Sequence, residues 1–251
     1  MSPWYTFHFP DGSEFDYVDD MAAFEAGMAR YREADIEGYR RLLEASREIF
    51  EVGFEKLADQ PFLKFTDMLK QVPALLKLRS YLTVSQFVKK YITHPYLQQA
   101  LSIHPLLVGG NPYDTTSIYA LIHYLERKWG VHFCMGGTGK LVSELEKLMR
   151  RHGVDIHTGA DVEEIIVSGK KVTGIRCVDG RQMDADLVVC NADPPTVYRE
   201  MMPLGGKSFL RPKKIIPEAL TKYSMGLYVL YFGTTRQYPD VAHHTIWLGE
   251  R

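Results

Sequence analysis

Residues 133–194 constrain the fold of this 251-residue chain more than any other stretch. They read as a strand, a glycine turn, an amphipathic helix, a second strand, and a β-meander that ends in Asn191-Ala192-Asp193-Pro194. After Gly136-Gly137-Thr138-Gly139-Lys140, the residues Leu141, Val142, Leu145, Leu148 and Met149 recur at i, i+1, i+4, i+7 and i+8, which is one face of a helix. The helix should stop at His152-Gly153, where Arg150, Arg151 and His152 complement the negative end of its dipole. Strand composition follows at 131–135, 154–158, 162–167, 172–178 and 186–190, with turns at Ser168-Gly169-Lys170-Lys171 and Val178-Asp179-Gly180-Arg181. That order is the order of a cofactor-binding layer.

The glycine turn fits neither standard phosphate loop. A P-loop requires glycine five residues before Gly139 and a hydroxyl residue after Lys140, and those positions hold Cys134 and Leu141. A dinucleotide fingerprint starting at Gly137 puts Val142 at its third small position, which would hold helix and sheet apart. What remains is a helix start whose backbone something approaches closely, either a neighbouring strand or a flat ring. Glycine permits both.

Towards the N-terminus, Trp4–Phe9 and Ser13–Val18 flank Pro10-Asp11-Gly12 and predict a hairpin. Residues 20–59 predict two helices divided near Ala34-Asp35, with Asp35 as N-cap of the second and Tyr39, Leu42, Leu43, Ser46, Ile49 and Phe50 on one stripe. In 61–92 a broken amphipathic run carries six basic residues and a single acid, Asp67; Leu63 and Phe65 belong to its apolar side, Pro73 should break it, and Thr83-Val84-Ser85-Gln86 reads as a capping box. Such a run either packs on a helical core with its lysines solvated or lies at a lipid interface. Helices are expected at 94–107 and 115–127 around a Gly109-Gly110-Asn111-Pro112 loop. Beyond the meander come a short helix from Pro194 or Pro195 to Met201, a Gly-, Lys- and Pro-rich loop at 205–217, and a strand from Tyr223 to Phe232.

With 30 basic against 31 acidic residues, the charge gives no reason to expect nucleic-acid binding. Three widely spaced cysteines without a C-x-x-C pair indicate a reducing, cytoplasmic setting, and no run reaches the length of a spanning helix. A membrane, if one matters, is met at its surface.

Several segments taken together resemble bacterial carotenoid desaturases of the phytoene desaturase type, within the amine-oxidase-like flavoproteins. They are Leu107-Val108-Gly109-Gly110-Asn111-Pro112, Thr116–His123, Glu126–Val131, Gly136–Val142, Asn191-Ala192-Asp193, Met225–Gly233 and Ala242-His243-His244-Thr245-Ile246. The resemblance implies a mixed α/β fold: a partial, Rossmann-like FAD-binding domain beside a helical and antiparallel-sheet substrate domain. Residues 1–130 would form a substrate and membrane-contacting domain, 131–203 the middle of the FAD domain, and 204–251 a return to the substrate-domain sheet. Gly136, Gly137 and Thr138 would lie at the isoalloxazine side of FAD, Val162 would make a backbone contact near the adenine end, and Asn191, Ala192 and Asp193 would complete the cofactor contacts. The family pattern begins with a strand, a G-x-G-x-x-G turn and an acidic ribose ligand, and ends with a further glycine-rich segment. Because neither is present, the chain reads as an internal fragment, and Cys134 stands where relatives often have proline.

The implied reaction removes hydrogen from an apolar polyene, with a hydride passing to FAD and a proton leaving the neighbouring carbon. No triad or metal cluster is needed. His243 and His244, adjacent on a predicted strand, should face opposite sides and not share a metal; His104, His123 and His132 lack ligand spacing and read as core or surface residues. Asp67 and Lys70, at i and i+3, are the candidate acid–base pair near a substrate entrance, with an ordinary helix-face ion pair as the competing reading. Two other classes stay open: a non-catalytic carrier of prenyl or lipid groups on the same fold, and an inactive fragment.

Overall fold

A computed structural model describes residues 1–62, 64–169, 171–202 and 223–250. The predicted loop at 205–217 and the boundary placed at residue 203 lie outside the described residues, as do Leu63 and Lys170. The chain divides into two compact units, residues 1–133 with 224–251, and residues 134–223.

In the first unit the predicted hairpin forms. Strands β1 (Tyr5–His8) and β2 (Glu14–Tyr17) pair antiparallel with Phe7 opposite Phe15, closed by a turn in which Gly12 N–H reaches Phe9 O at 3.0 Å. A third strand, Thr245–Trp247, pairs parallel to the free edge of β1 through Thr6–Thr245 and Phe7–Ile246, so β1 has neighbours on both sides. Its residues are accordingly buried, or nearly so, on both faces.

Helices α1 (Met21–Arg32) and α2 (Ala34–Phe50) follow, and α2 runs on through a π-type turn at Glu51–Lys56. Asp20 caps α1 by accepting from Ala23 N–H at 2.7 Å. Asp35 does not cap α2. Glu33 holds that position without a side-chain bond, and Asp35 sits in the first turn, 1% exposed. Its carboxylate turns inward and accepts from Thr93 N–H at 2.9 Å, Thr93 Oγ1 at 2.7 Å and His94 N–H at 2.8 Å, just before helix α5 (Pro95–Ala100). The predicted stripe on α2 is buried at Tyr39, Leu42, Ser46, Ile49 and Phe50, with Leu43 packed partly against the core. Gly38 lies within the stripe because a Cβ there would stand 2.0 Å from Tyr91 O, a separation no side chain tolerates.

Helix α3 (Phe65–Lys77) contains Pro73 in its interior, contrary to the expected break. The proline ring deletes one bond to the preceding turn, yet the helix resumes to Lys77, with Leu78 N–H bonded to Ala74 O at 2.9 Å. The capping box at α4 (Val84–Val88) forms as read, with Thr83 Oγ1 accepting from Gln86 N–H and Gln86 Oε1 accepting from Thr83 N–H. The two helices expected at 94–107 and 115–127 are shorter pieces: α5, 3-10 turns at His104–Val108 and Ser117–Ala120, and α6 (Leu121–Trp129). Pro105 explains the first division, since it interrupts the hydrogen-bond ladder there.

In the second unit α7 (Gly137–Arg151) begins and ends where expected, with Gly153 at φ 76° and its N–H on Arg150 O. The meander is β3 (Val162–Ser168), β4 (Lys171–Cys177) and β5 (Gln182–Asp184), antiparallel in that order. α8 (Pro194–Thr196) continues as a π-type turn, Val197–Met201, that packs against β3 and buries Val197. The segments 131–135, 154–158, 186–190 and 223–232 carry strand composition but form no ladder among the described residues. A strand exists only with a hydrogen-bonded partner, and none lies among the described residues; Leu187, Val189, Leu227 and Tyr231 are largely exposed. The α7 stripe is uncovered too, from Leu141 and Val142 to Leu145 and Met149.

Candidate functional site

The seven residues expected at a cofactor all fall in the second unit, at three places. Gly136 and Gly137 form the entry to α7 in the left-handed region, at φ 90° and φ 83°, a conformation that only glycine adopts without strain. Gly137 N–H closes the turn on Cys134 O at 2.8 Å, and Thr138 lies exposed on the first helical turn. A Cβ added at Gly137 would meet nothing within 4 Å, so this backbone borders open space. At Gly136 it would come within 3.2 Å of the Lys140 side chain. Val162 opens β3, half-buried and paired with Cys177. Asn191, Ala192 and Asp193 form an exposed turn before α8, where Asp193 is the N-cap residue and its carbonyl accepts from Val197 N–H at 3.0 Å.

Asp67 and Lys70 are brought together on the first turns of α3, with Oδ1 and Nζ 3.7 Å apart. Asp67 also accepts from Lys64 N–H at 3.2 Å, so its carboxylate serves the helix start, and the Lys70 side chain is 74% exposed. No residue of α3 is buried. Phe65, Met68, Leu69, Val72 and Leu76 stand on one exposed face at i, i+3, i+4, i+7 and i+11.

Sequence reasoning missed a buried polar network in the first unit. Glu126 accepts from Tyr5 OH at 2.7 Å and from His104 Nε2 at 3.0 Å, with all three residues almost fully buried. His123 donates Nε2–H to Leu101 O at 2.9 Å and presents Nδ1 to Tyr17 OH at 3.4 Å, which in turn lies 3.1 Å from Tyr39 OH. Arg127 sits among the rings of Trp4, Tyr17 and Phe24, 4.4–4.9 Å from their centroids, and donates to Tyr39 OH, Val18 O and Asp19 O. Burial, reinforced by the Glu126 charge, pushes the Tyr5 phenol up. Burial also holds His123 well below the ordinary histidine range, with His104 next to it adding to the effect. Burial works against the Arg127 charge, but Tyr39 and Tyr17 outweigh it and keep the guanidinium protonated. The signal in the sequence was the i, i+3, i+4 spacing of His123, Glu126 and Arg127, which places all three on one face of α6.

His104 and His123 are thus core histidines, as read, and His132 is exposed with Nε2 on Trp129 O. His243 and His244 depart from the expectation of opposite faces. They precede the strand at Thr245 instead of lying in it, and their rings meet edge to face at 4.7 Å. Among the described residues no group of three potential ligands gathers for a metal. Nor is any described helix long and apolar enough to cross a membrane.

Comparison with known proteins gives the family of the chain. Residues 1–237 match the model of the flavin containing amine oxidoreductases. Over 256 residues the chain is 43% identical to a phytoene desaturase (lycopene-forming) of Pseudescherichia vulneris, covering all of this chain and 50% of that protein. Identity is 36% over 255 residues to a phytoene desaturase (neurosporene-forming) of Rhodobacter capsulatus (100% and 48% covered). It is 30% over 255 residues to a 4,4'-diaponeurosporene oxygenase of Staphylococcus aureus (98% and 49% covered). The chain therefore spans about half the length of the curated relatives it matches. The mixed helix-and-sheet fold agrees with that family, and the cofactor class that goes with it is a flavin, as the FAD expectation required. The chain belongs to the flavin containing amine oxidoreductases.

Proposed function

We propose that this chain forms part of an FAD-dependent desaturase that introduces double bonds into a phytoene-type polyene. The observation that carries this reading is the 43% identity to a lycopene-forming phytoene desaturase over the whole chain. When bound, FAD supplies the hydride-accepting chemistry. The residues of this chain bind and orient. The open backbone at Gly137 leaves room for a flat ring, and Gly136, Thr138, Val162, Asn191, Ala192 and Asp193 are its companions on the cofactor side. A hydrocarbon offers no polar handle, so selectivity rests on shape and on exclusion of water.

The unburied face of α3, from Phe65 to Leu76, supports an apolar substrate taken from a lipid surface, with Lys64, Lys70 and Lys77 available for anionic headgroups. On this reading the protein is cytoplasmic and peripherally membrane-associated. Asp67 and Lys70 stand at that entrance as the candidate acid–base pair. Their 3.7 Å separation supports a shared role, whereas the exposure of Lys70 equally suits an ordinary helix-face pair. Asp67→Asn separates the two: as an acid–base pair it should change the pH profile of desaturation, and as a surface pair it should change stability by under about 0.5 kcal/mol and the profile not at all.

Co-sedimentation with anionic liposomes tests the membrane part. Wild type should pellet with the vesicles and a Phe65→Ser, Leu69→Ser double variant should stay in solution; equal partition of both would remove α3 from the account. Flavin absorbance of the purified chain tests the cofactor part. A colourless chain that stays so on titration with FAD would favour the reading that this polypeptide alone is inactive. A non-catalytic prenyl carrier, the other alternative, would bind lipid but no flavin.

A further inference from the structure

The first unit contains a cavity of about 330 Å³ lined by Tyr5, Ile103, His104, Leu106, Leu107, His243, His244, Thr245 and Ile246. Most of its wall is aliphatic or aromatic, and its polar groups are unusual in kind. His244 lies 2.9 Å through Nδ1 from Trp4 O, and a carbonyl can only accept, so Nδ1 carries the proton. With Nδ1 committed to Trp4 O, His244 Nε2 has no hydrogen-bond partner among the described residues and is the ring atom left to accept one. The same logic applies to His104. Glu126, already accepting from Tyr5 OH, receives Nε2–H from His104 and leaves its buried Nδ1 without a partner. Tyr5 spends its proton on Glu126. On this wall His244 Nε2 is an acceptor whose own ring N–H is already committed to Trp4 O.

We propose that this cavity binds an elongated apolar molecule ending in a hydrogen-bond donor, a primary alcohol in the simplest case, with His244 Nε2 as the acceptor. The site is independent of the desaturase reading: a hydrocarbon would leave His244 Nε2 unmatched, so this ligand is a different molecule from the proposed polyene.

The test titrates the full chain, with its histidine nitrogens labelled, with 1-octanol and with its isomer 1-methoxyheptane. The two have the same atoms, and the ether lacks the donor. Octanol should shift the His244 Nε2 resonance and bind about three- to tenfold more tightly than the ether, the range one neutral hydrogen bond supplies. His244→Phe keeps a ring and removes the acceptor, so it should bring the two affinities together. Leu107→Trp, at a position 59% exposed and outside the hydrogen-bonded network, should fill the space and weaken both by more than tenfold while the His244 resonance stays in place. That second variant guards against loss of fold in the first. Equal affinities for alcohol and ether in the wild type, undiminished octanol binding in Leu107→Trp, or no shift with either compound would overturn the proposal.

Discussion

Replacing Asp35 by asparagine should destabilise the first unit by about 2–4 kcal/mol, although the side chain keeps its size. In the native fold the two carboxylate oxygens accept from Thr93 N–H at 2.9 and 3.1 Å, Thr93 Oγ1 at 2.7 Å and His94 N–H at 2.8 Å. Asparagine keeps one acceptor and turns an NH2 toward a donor. At least one buried donor is then orphaned, which costs about 1–3 kcal/mol, and the bonds that remain lose their charge assistance, about 1 kcal/mol more. Urea unfolding followed by circular dichroism, with unchanged m-value, reads this as a lower midpoint. Glu33→Ala is the control, because Glu33 occupies the N-cap of α2 without a side-chain bond and should move stability by less than about 0.5 kcal/mol. If Asp35→Asn cost less than that control, the carboxylate would not be joining α2 to α5, and a simple helix cap would be the better account.

Three further outcomes follow from the same geometry. Gly38→Ala should cost about 2–4 kcal/mol by calorimetry, because the new Cβ would press on Tyr91 O where neither helix nor loop can yield cheaply. His123 is held neutral by burial, so its folded pKa lies below the unfolded value near 6.5. The unfolded chain thus binds the extra proton first: stability is complete above about pH 6.5 and falls as pH drops, by at most ~1.4 kcal/mol per pH unit. His123→Gln should flatten that slope between pH 6.5 and 5, as read by chemical denaturation at each pH, and an unchanged slope would assign it to other groups. Arg127→Met should lower stability by about 3–5 kcal/mol, since it strands the carbonyls of Val18 and Asp19 and empties the aromatic cage; a midpoint shift within error would show that ring packing alone carries this region.

Local features were legible where the physics is local. The 4–9 and 13–18 hairpin, the α2 stripe, the Thr83–Gln86 box and both ends of α7 depend on neighbours within a few residues, and each formed as read. Asp35 was misread because a capping residue and a buried long-range acceptor look identical in sequence; the partner lies 58 residues away. Pro73 was misread because the cost of an interior proline sets a tendency and tertiary surroundings decide the outcome. The four ladderless segments carry apolar β composition, which records fitness for a sheet without supplying the adjoining strand. Of the site, the glycine turn was visible through φ requirements that only glycine meets. The network around Glu126 was not, because it joins residues 5, 104 and 126 and needs the fold to bring them together.

The central claim is tested most directly by exchange into a relative. The matching half of the Pseudescherichia vulneris phytoene desaturase would be replaced by this chain, and the purified chimera supplied with FAD and phytoene in liposomes. The account predicts a yellow protein that converts phytoene to more conjugated products, with both flavin and conversion lost on Gly137→Val. A folded, flavin-loaded chimera that leaves phytoene unchanged, while the parent enzyme converts it, would contradict the assignment.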